Sequence, residues 1–387
     1  MQKQLMKIMQ LRYWKYLVGL FVILVGIQVI GGNSAVNVWK RIYKTNHSKI
    51  FIKSFKEHPE YYIQNDSSAA KTTKTLKTYQ VRENQFFRNT DSGSFEIDSM
   101  TTVAMVLVIF GAGLMTFTID RRTNFDTFLF SLTSSRRRIY WTKLLYGIGT
   151  VLGSLIISHF VYYLIIKVGI KAPYVQLNIT NLVQHEIGQL VLILGIYIIG
   201  CLIGLVIGEL PTLMIGGFGF LWSLSYAINS AGDTRRFWLS QKSEQYTVNP
   251  NSNVGLLHRL FAKDNNPQVV YQNNQQVFFM VGILIVIVLF LLSGVWLYRR
   301  LSLENKYQLV QINSLKKPVV IIGTLYLAWL LGMNGFFSQQ PFELIYHHQK
   351  IVLLWIILRN IVVIGIIGWV FVERPWQKKD TFKWFKK

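Results

Sequence analysis

The sequence predicts an all-α polytopic membrane protein with about eight transmembrane helices and two sizeable extracellular segments. Three observations carry this. Apolar residues make up 51% of the 387 positions and charged residues only 15%, whereas soluble domains carry about 25% charged residues. Runs of apolar residues long enough to cross a hydrocarbon core, at about 20 residues each, recur along the whole chain. The formal net charge is +23, and much of it sits in short clusters between those runs. These features exclude a soluble enzyme, a nucleic-acid-binding domain and a secreted disulfide scaffold. Cys201 is the single cysteine, so neither an intramolecular disulfide nor a cysteine zinc cluster can form.

Residues 1–32 read as an amphipathic N-terminal helix leading into a first span at 14–32, with no small-residue site marking a cleavable signal. Further spans are expected at 99–119, 142–166, 187–208, 211–229, 277–297, 318–336 and 350–372. Their order alternates basic and neutral connections. About half of the 41 Lys and Arg residues fall on the N-terminus, the 120–143 stretch, the 298–317 linker and the 373–387 tail. The positive-inside rule then places both termini in the cytoplasm of a multi-pass cell-membrane protein. Residues 33–98 and 230–276 become extracellular segments; the first begins basic and aromatic, and the second carries Asn-Pro turns at 249–250 and 266–267. Both read as small caps ordered by the membrane part.

Residues 99–229 hold spans two to five, and the connection within them at 120–140 is the most informative stretch of the chain. Thr123 followed by Asp126 matches a capping box. Phe125, Phe128, Leu129 and Leu132 fall at i, i+3, i+4 and i+7, one stripe of a short helix. Ser134-Ser135 would stop or kink it, and Arg136, Arg137 and Arg138 would enter the headgroups. The residues leave two readings open: an interfacial anchor, or a docking element for a cytoplasmic partner.

This stretch resembles the segment between the second and third spans of ABC-2-type transporter permeases. The resemblance rests on Asp120, the run Phe128-Leu129-Phe130-Ser131-Leu132, the pair Ser135-Arg136, and Lys143. Asn124-Phe125 and Thr133 stand where the family usually has Gly-Thr and Pro. The resemblance implies an exporter-like six-helix core with two added C-terminal helices. It also implies a coupling helix, formed by Asp120, Thr123, Phe125, Asp126, Phe128, Leu129, Leu132 and Arg136, that docks on a separate ABC ATPase. Two ATPase copies would bind ATP and magnesium, and a second permease chain, identical or related, would complete the assembly in the lipid bilayer. The cargo would be an amphipathic molecule: a peptide, a peptide antibiotic or something lipid-like.

Motif absences agree with an engine on another polypeptide. No G-x-x-x-x-G-K-[ST] loop occurs, so this chain has no Walker route to ATP hydrolysis. His185-Glu186 opens an H-E-x-x-H pattern that Gln189 breaks. No catalytic residues, metal ligands or resident cofactor are read from the sequence. Ionisable residues within or beside spans are candidates for function because they cost about 2.5–3.5 kcal/mol at mid-helix. These are Arg359 in span eight, His159 in span three and Glu209 in the Gly-Glu-Leu-Pro turn. Gly200, Gly204 and Gly208 make two G-x-x-x-G steps in span four, and Gly149 and Gly153 one in span three, as close helix contacts require. A non-transporting sensor or scaffold with an extracellular ligand-binding loop is the alternative reading.

Overall fold

The computed structural model describes residues 2–62, 75–86, 99–132, 134–175, 179–239, 270–301, 309–333 and 350–373. Much of the expected extracellular segments, the middle of the 298–317 linker and the basic tail from 374 lie outside the described residues. In chain order the helices are α1 (Gln2–Asn46), α2 (Lys49–Glu57), α3 (Leu76–Glu83), α4 (Ser99–Arg122), α5 (Phe125–Ser131), α6 (Arg136–Gly169), α7 (Ile179–Val206) and α8 (Leu210–Leu239). After them come α9 (Val270–Arg300), α10 (Lys316–Met333) and α11 (Lys350–Glu373). Two short 3-10 turns and two isolated bridges complete the described elements, which include no strand. Among the described residues, α1, α4, α6, α7, α9, α10 and α11 are the 7 helices long and apolar enough to cross a membrane. The remaining expected span, 211–229, falls within α8 (Leu210–Leu239), whose described portion Leu210–Leu224 is apolar. The chain is an all-helical polytopic membrane protein.

It divides into two compact units. The first comprises Met1–Thr116, Leu129–Cys201 and Leu260–Val295; the second comprises Phe117–Phe128, Leu202–Arg259 and Trp296–Lys387.

In the first unit α1 runs alongside α6 in the same direction, with Tyr146 donating to the Met6 carbonyl at 3.3 Å, Gly32 against Ile165 and Val36 against Gly169. The expected first span ended at residue 32, yet α1 continues unbroken to Asn46. No proline interrupts it, and its 45 residues at 1.5 Å each reach about 68 Å. The extension carries an aromatic cluster. Trp39 stacks on Tyr43, and Tyr43 stacks on His47. The Ser48 hydroxyl then caps α2, and Phe51 and Phe55 pack against Tyr62 and Tyr79. Trp39 Nε1 donates to the Asn84 carbonyl at 2.8 Å, and the Phe86 amide to the Tyr174 carbonyl at 2.8 Å. Changing Trp39 to Phe keeps an aromatic side chain, though a smaller one, and orphans the Asn84 carbonyl. The expected cost is about 1–2 kcal/mol, read as faster amide exchange in α3 with exchange in α7 unchanged.

Ser135, read in the sequence as a helix stop, is instead the N-cap of α6, its hydroxyl accepting from the Arg138 amide at 3.4 Å. So α6 starts six positions before the expected span and takes Arg136 to Arg138 into its first turn. Cations are unfavourable at a helix N-terminus. Arg136 has a local reason to be there: its guanidinium lies 4.5 Å from the centre of the Phe130 ring.

In the second unit α10 and α11 pack antiparallel, with Gly332 against Ile357 and Gly368 against Val320. From α8, Ser223 shares a 2.7 Å hydrogen bond with Tyr326, and Thr234 accepts from Trp329 at 3.1 Å. The turn after α7 pairs with 309–311: Gly208 donates to Leu309 at 3.2 Å and Gln311 to Val206 at 3.0 Å. Gly208 therefore lies beyond α7, and only Gly200 and Gly204 of the expected triplet belong to that helix. Glu209 accepts from the Thr212 hydroxyl at 2.9 Å, which fixes the start of α8.

Candidate functional site

The α4–α5 connection and a buried polar centre in the first unit gather most of the residues singled out from the sequence. At the end of α4, Thr123 donates its hydroxyl back to the Ile119 carbonyl at 3.0 Å. Asn124 then takes φ 59, the left-handed conformation that asparagine tolerates best among residues with a side chain. The chain thereby turns sharply, and α5 begins at Phe125, one position later than a cap at Thr123 sets it.

The expected stripe does not form one face. Leu129 is fully buried, Phe125 and Leu132 are half-buried, and Phe128 is 47% exposed. The buried line is Asp126 and Leu129, three residues apart and so neighbours on a helix surface. The exposed Phe128 lies beside the half-buried Phe125, with ring centres 5.6 Å apart. The anchoring of α5 is polar. Asp126 lies beneath it with Tyr298 Oη 3.5 Å from its Oδ1, and the Tyr298 ring packs on Phe117. Arg121 is also buried, its Nη2 donating to the Gly204 carbonyl and its Nε to the Phe117 carbonyl at 3.3 Å. Asp126 and Asp120, both buried, supply negative charge around it. Gly204 lies in the last turn of α7, where carbonyls lack helical partners and the helix dipole is negative. Arg121 thus ties the end of α4 to the end of α7. Arg121 falls in the basic 120–143 stretch placed in the cytoplasm from sequence; the structure buries it and leaves its neighbour Arg122 exposed.

The second cluster joins α6 and α7. The Glu186 carboxylate accepts from the Tyr163 hydroxyl at 2.5 Å and from His159 Nδ1. The sequence singled out His159 as an ionisable residue in span three and Glu186 only within a broken H-E-x-x-H pattern; the structure brings the two together. A carboxylate only accepts, so the shared proton of a neutral imidazole sits on Nδ1 and Nε2 carries a lone pair. Nε2 is buried with no hydrogen-bond partner among the described residues. On α7, one turn beyond Glu186, the Oε1 of Gln189 is in the same condition. So is Oε1 of Gln28 on α1, whose Nε2 donates to Met105 Sδ at 2.9 Å. Since Gly32 faces Ile165, Gln28 one turn earlier stands at the depth of Val161, two positions from His159. Gln28 was not singled out in the sequence, although an amide inside an apolar run is a visible signal.

The other candidates stand apart. Arg359 lies on an exposed face of α11 with no hydrogen bond or ion pair among the described residues. Gly200 meets α4, whereas a side-chain carbon at Gly149 or Gly153 would meet open space. Among the described residues no group of three His, Cys, Asp or Glu could hold a metal.

No family model matches the chain, and neither a curated protein nor a solved structure does. The class defined by the fold is that of a polytopic helical membrane protein.

Proposed function

We propose that the chain is the membrane permease of an ATP-binding-cassette transporter, exporting an amphipathic peptide or lipid-like substrate. Its engine is a separate cytoplasmic ATPase in two copies, which binds the ATP and magnesium. Eight spans with both termini in the cytoplasm, large extracellular segments and a second permease chain complete this reading. One observation carries it: α5 exposes Phe128, with the half-buried Phe125 ring beside it, while Asp126 and Leu129 are buried beneath. A short helix joined at each end to a long apolar helix can pass a push on its outer face to both. In the mechanism, closure of the ATPases presses α5, and α4 and α6 move with it, opening the bundle outward.

The test is copurification in mild detergent with the ATPases encoded beside the gene, comparing wild type with Phe128→Asp and with Phe125→Asp added. Leu129 is left alone because its burial would confound the result. Aromatic anchors at the centre of an interface cost about 2 kcal/mol or more when lost, so the double variant is expected to weaken binding about a hundredfold or more. The melting profile of Phe128→Asp should stay near that of wild type. An ATPase that holds equally well to the double variant, or no ATPase at all, overturns the permease reading and leaves the sensor or scaffold in its place.

A further inference from the structure

We propose that the polar centre formed by Gln28, His159, Glu186 and Gln189 binds a primary ammonium group, the head of an amphipathic amine. What the centre offers is one-sided. At similar depths in the same unit as the Glu186 carboxylate are three buried acceptors, Gln28 Oε1, His159 Nε2 and Gln189 Oε1, which have no donor among the described residues. They come from three helices of one unit, at depths matched by the Gly32–Ile165 and His159–Glu186 contacts. Buried polar atoms are ordinarily paired, and leaving one unpaired costs about 1–3 kcal/mol. A set made only of acceptors beside a carboxylate calls for a ligand rich in donors and positive in charge.

A primary ammonium has three N–H donors and one charge, matching the acceptors in kind and the carboxylate in sign. A bond from the ammonium to Nε2 would pass through the imidazole to Glu186 and strengthen both links, since charge-assisted hydrogen bonds are about twice as strong as neutral ones. A metal ion fits poorly, because the set holds a single imidazole and its carboxylate is already engaged by Tyr163 and His159. The Glu186 side chain is 17% exposed against 5% for His159, which makes Glu186 the approachable member. The apolar helices around the centre suit the alkyl part of the ligand.

This rests on the exporter reading only in naming the headgroup of its cargo; binding itself needs no ATPase. The experiment is equilibrium binding to the full-length chain in nanodiscs, using dodecylamine as the probe and dodecyltrimethylammonium as a cation of equal chain length with no N–H. Dodecylamine is expected to bind at least about tenfold more tightly. Glu186→Gln, and His159→Asn, which keeps an N–H near the Nδ1 position and has nothing at Nε2, should each weaken it by about tenfold to a hundredfold. Equal binding of the two amphiphiles by wild type overturns the proposal even if neither variant folds. It would mean partition into lipid, with the centre filled by water. Selective binding without any ATPase partner would keep this site while removing the exporter reading. An ATPase partner without amine selectivity would do the reverse.

Discussion

Replacing Arg121 with alanine is expected to destabilise the chain by about 3–5 kcal/mol, the range for removing one partner from a buried charge cluster. The side chain is 7% exposed, and its guanidinium bonds the Gly204 and Phe117 carbonyls. Without it the Gly204 carbonyl at the end of α7 loses its charged donor, and Asp120 and Asp126 lose a buried counter-charge. Arg122→Ala, one residue along but exposed, should stay within about 0.5 kcal/mol of wild type. Arg121→Lys should fall between the two, because an ammonium carries the charge but not the planar fork that reaches two carbonyls. Adding Asp126→Asn to Arg121→Ala should recover part of the loss, since it removes one of the charges left uncompensated. SDS-titrated unfolding of the purified chain measures all four. If Arg121→Ala unfolds no earlier than Arg122→Ala, the residue is an ordinary headgroup anchor.

That arginine also shows what a sequence conveys about a membrane bundle. Long apolar runs are legible because hydrocarbon imposes one length and one composition on every span. So α4, α6, α7, α8, α9, α10 and α11 each overlap an expected span, with ends shifted by up to about ten residues. Where a helix leaves that medium, the pattern goes quiet. Nothing in residues 33–46 distinguishes a loop from the continuing α1, because its stability there comes from Trp39 reaching Asn84 and Tyr174, partners far along the chain. Ser135 was visible as a helix boundary, but not which side of the boundary it served; that depends on its hydroxyl finding the Arg138 amide.

The candidate site was legible as residues and opaque as geometry. Apolar periodicity in seven residues of α5 selected Phe125, Phe128 and Leu129 as one stripe, yet neighbouring positions on so short a helix differ in burial according to what waits beneath. Tyr298 and the charges around Arg121 wait there, and they draw Asp126 inward. His159 and Glu186 were each noticed alone. No spacing rule links position 159 to position 186, because the link is the antiparallel crossing of α6 and α7.

The two glycine motifs lead to the second large prediction, in which identical spacings give opposite signs. Gly113→Val should cost about 3 kcal/mol or more, the upper end for overpacking. A side-chain carbon at Gly113 runs into the Tyr197 carbonyl, and one at Gly200 would stand 2.7 Å from the Phe110 carbonyl. Both obstacles are backbone, so no rotamer change relieves them; α4 and α7 must separate. Separation would also pull apart the 2.9 Å hydrogen bond between Thr116 and Tyr197. Gly200→Ala should show the same defect in milder form, and the two changes together should cost less than their sum, because the crossing is opened once. Gly149→Ala and Gly153→Ala meet nothing within 4 Å. They should be neutral or raise stability by up to about 1 kcal/mol each, the helix-propensity gain of alanine over glycine. The same unfolding titration reads all of these. If Gly149→Ala and Gly200→Ala move the midpoint in the same direction, the α4–α7 contact is looser than a backbone-to-backbone crossing. The G-x-x-x-G spacing in α6 would then deserve the role assigned to it from sequence.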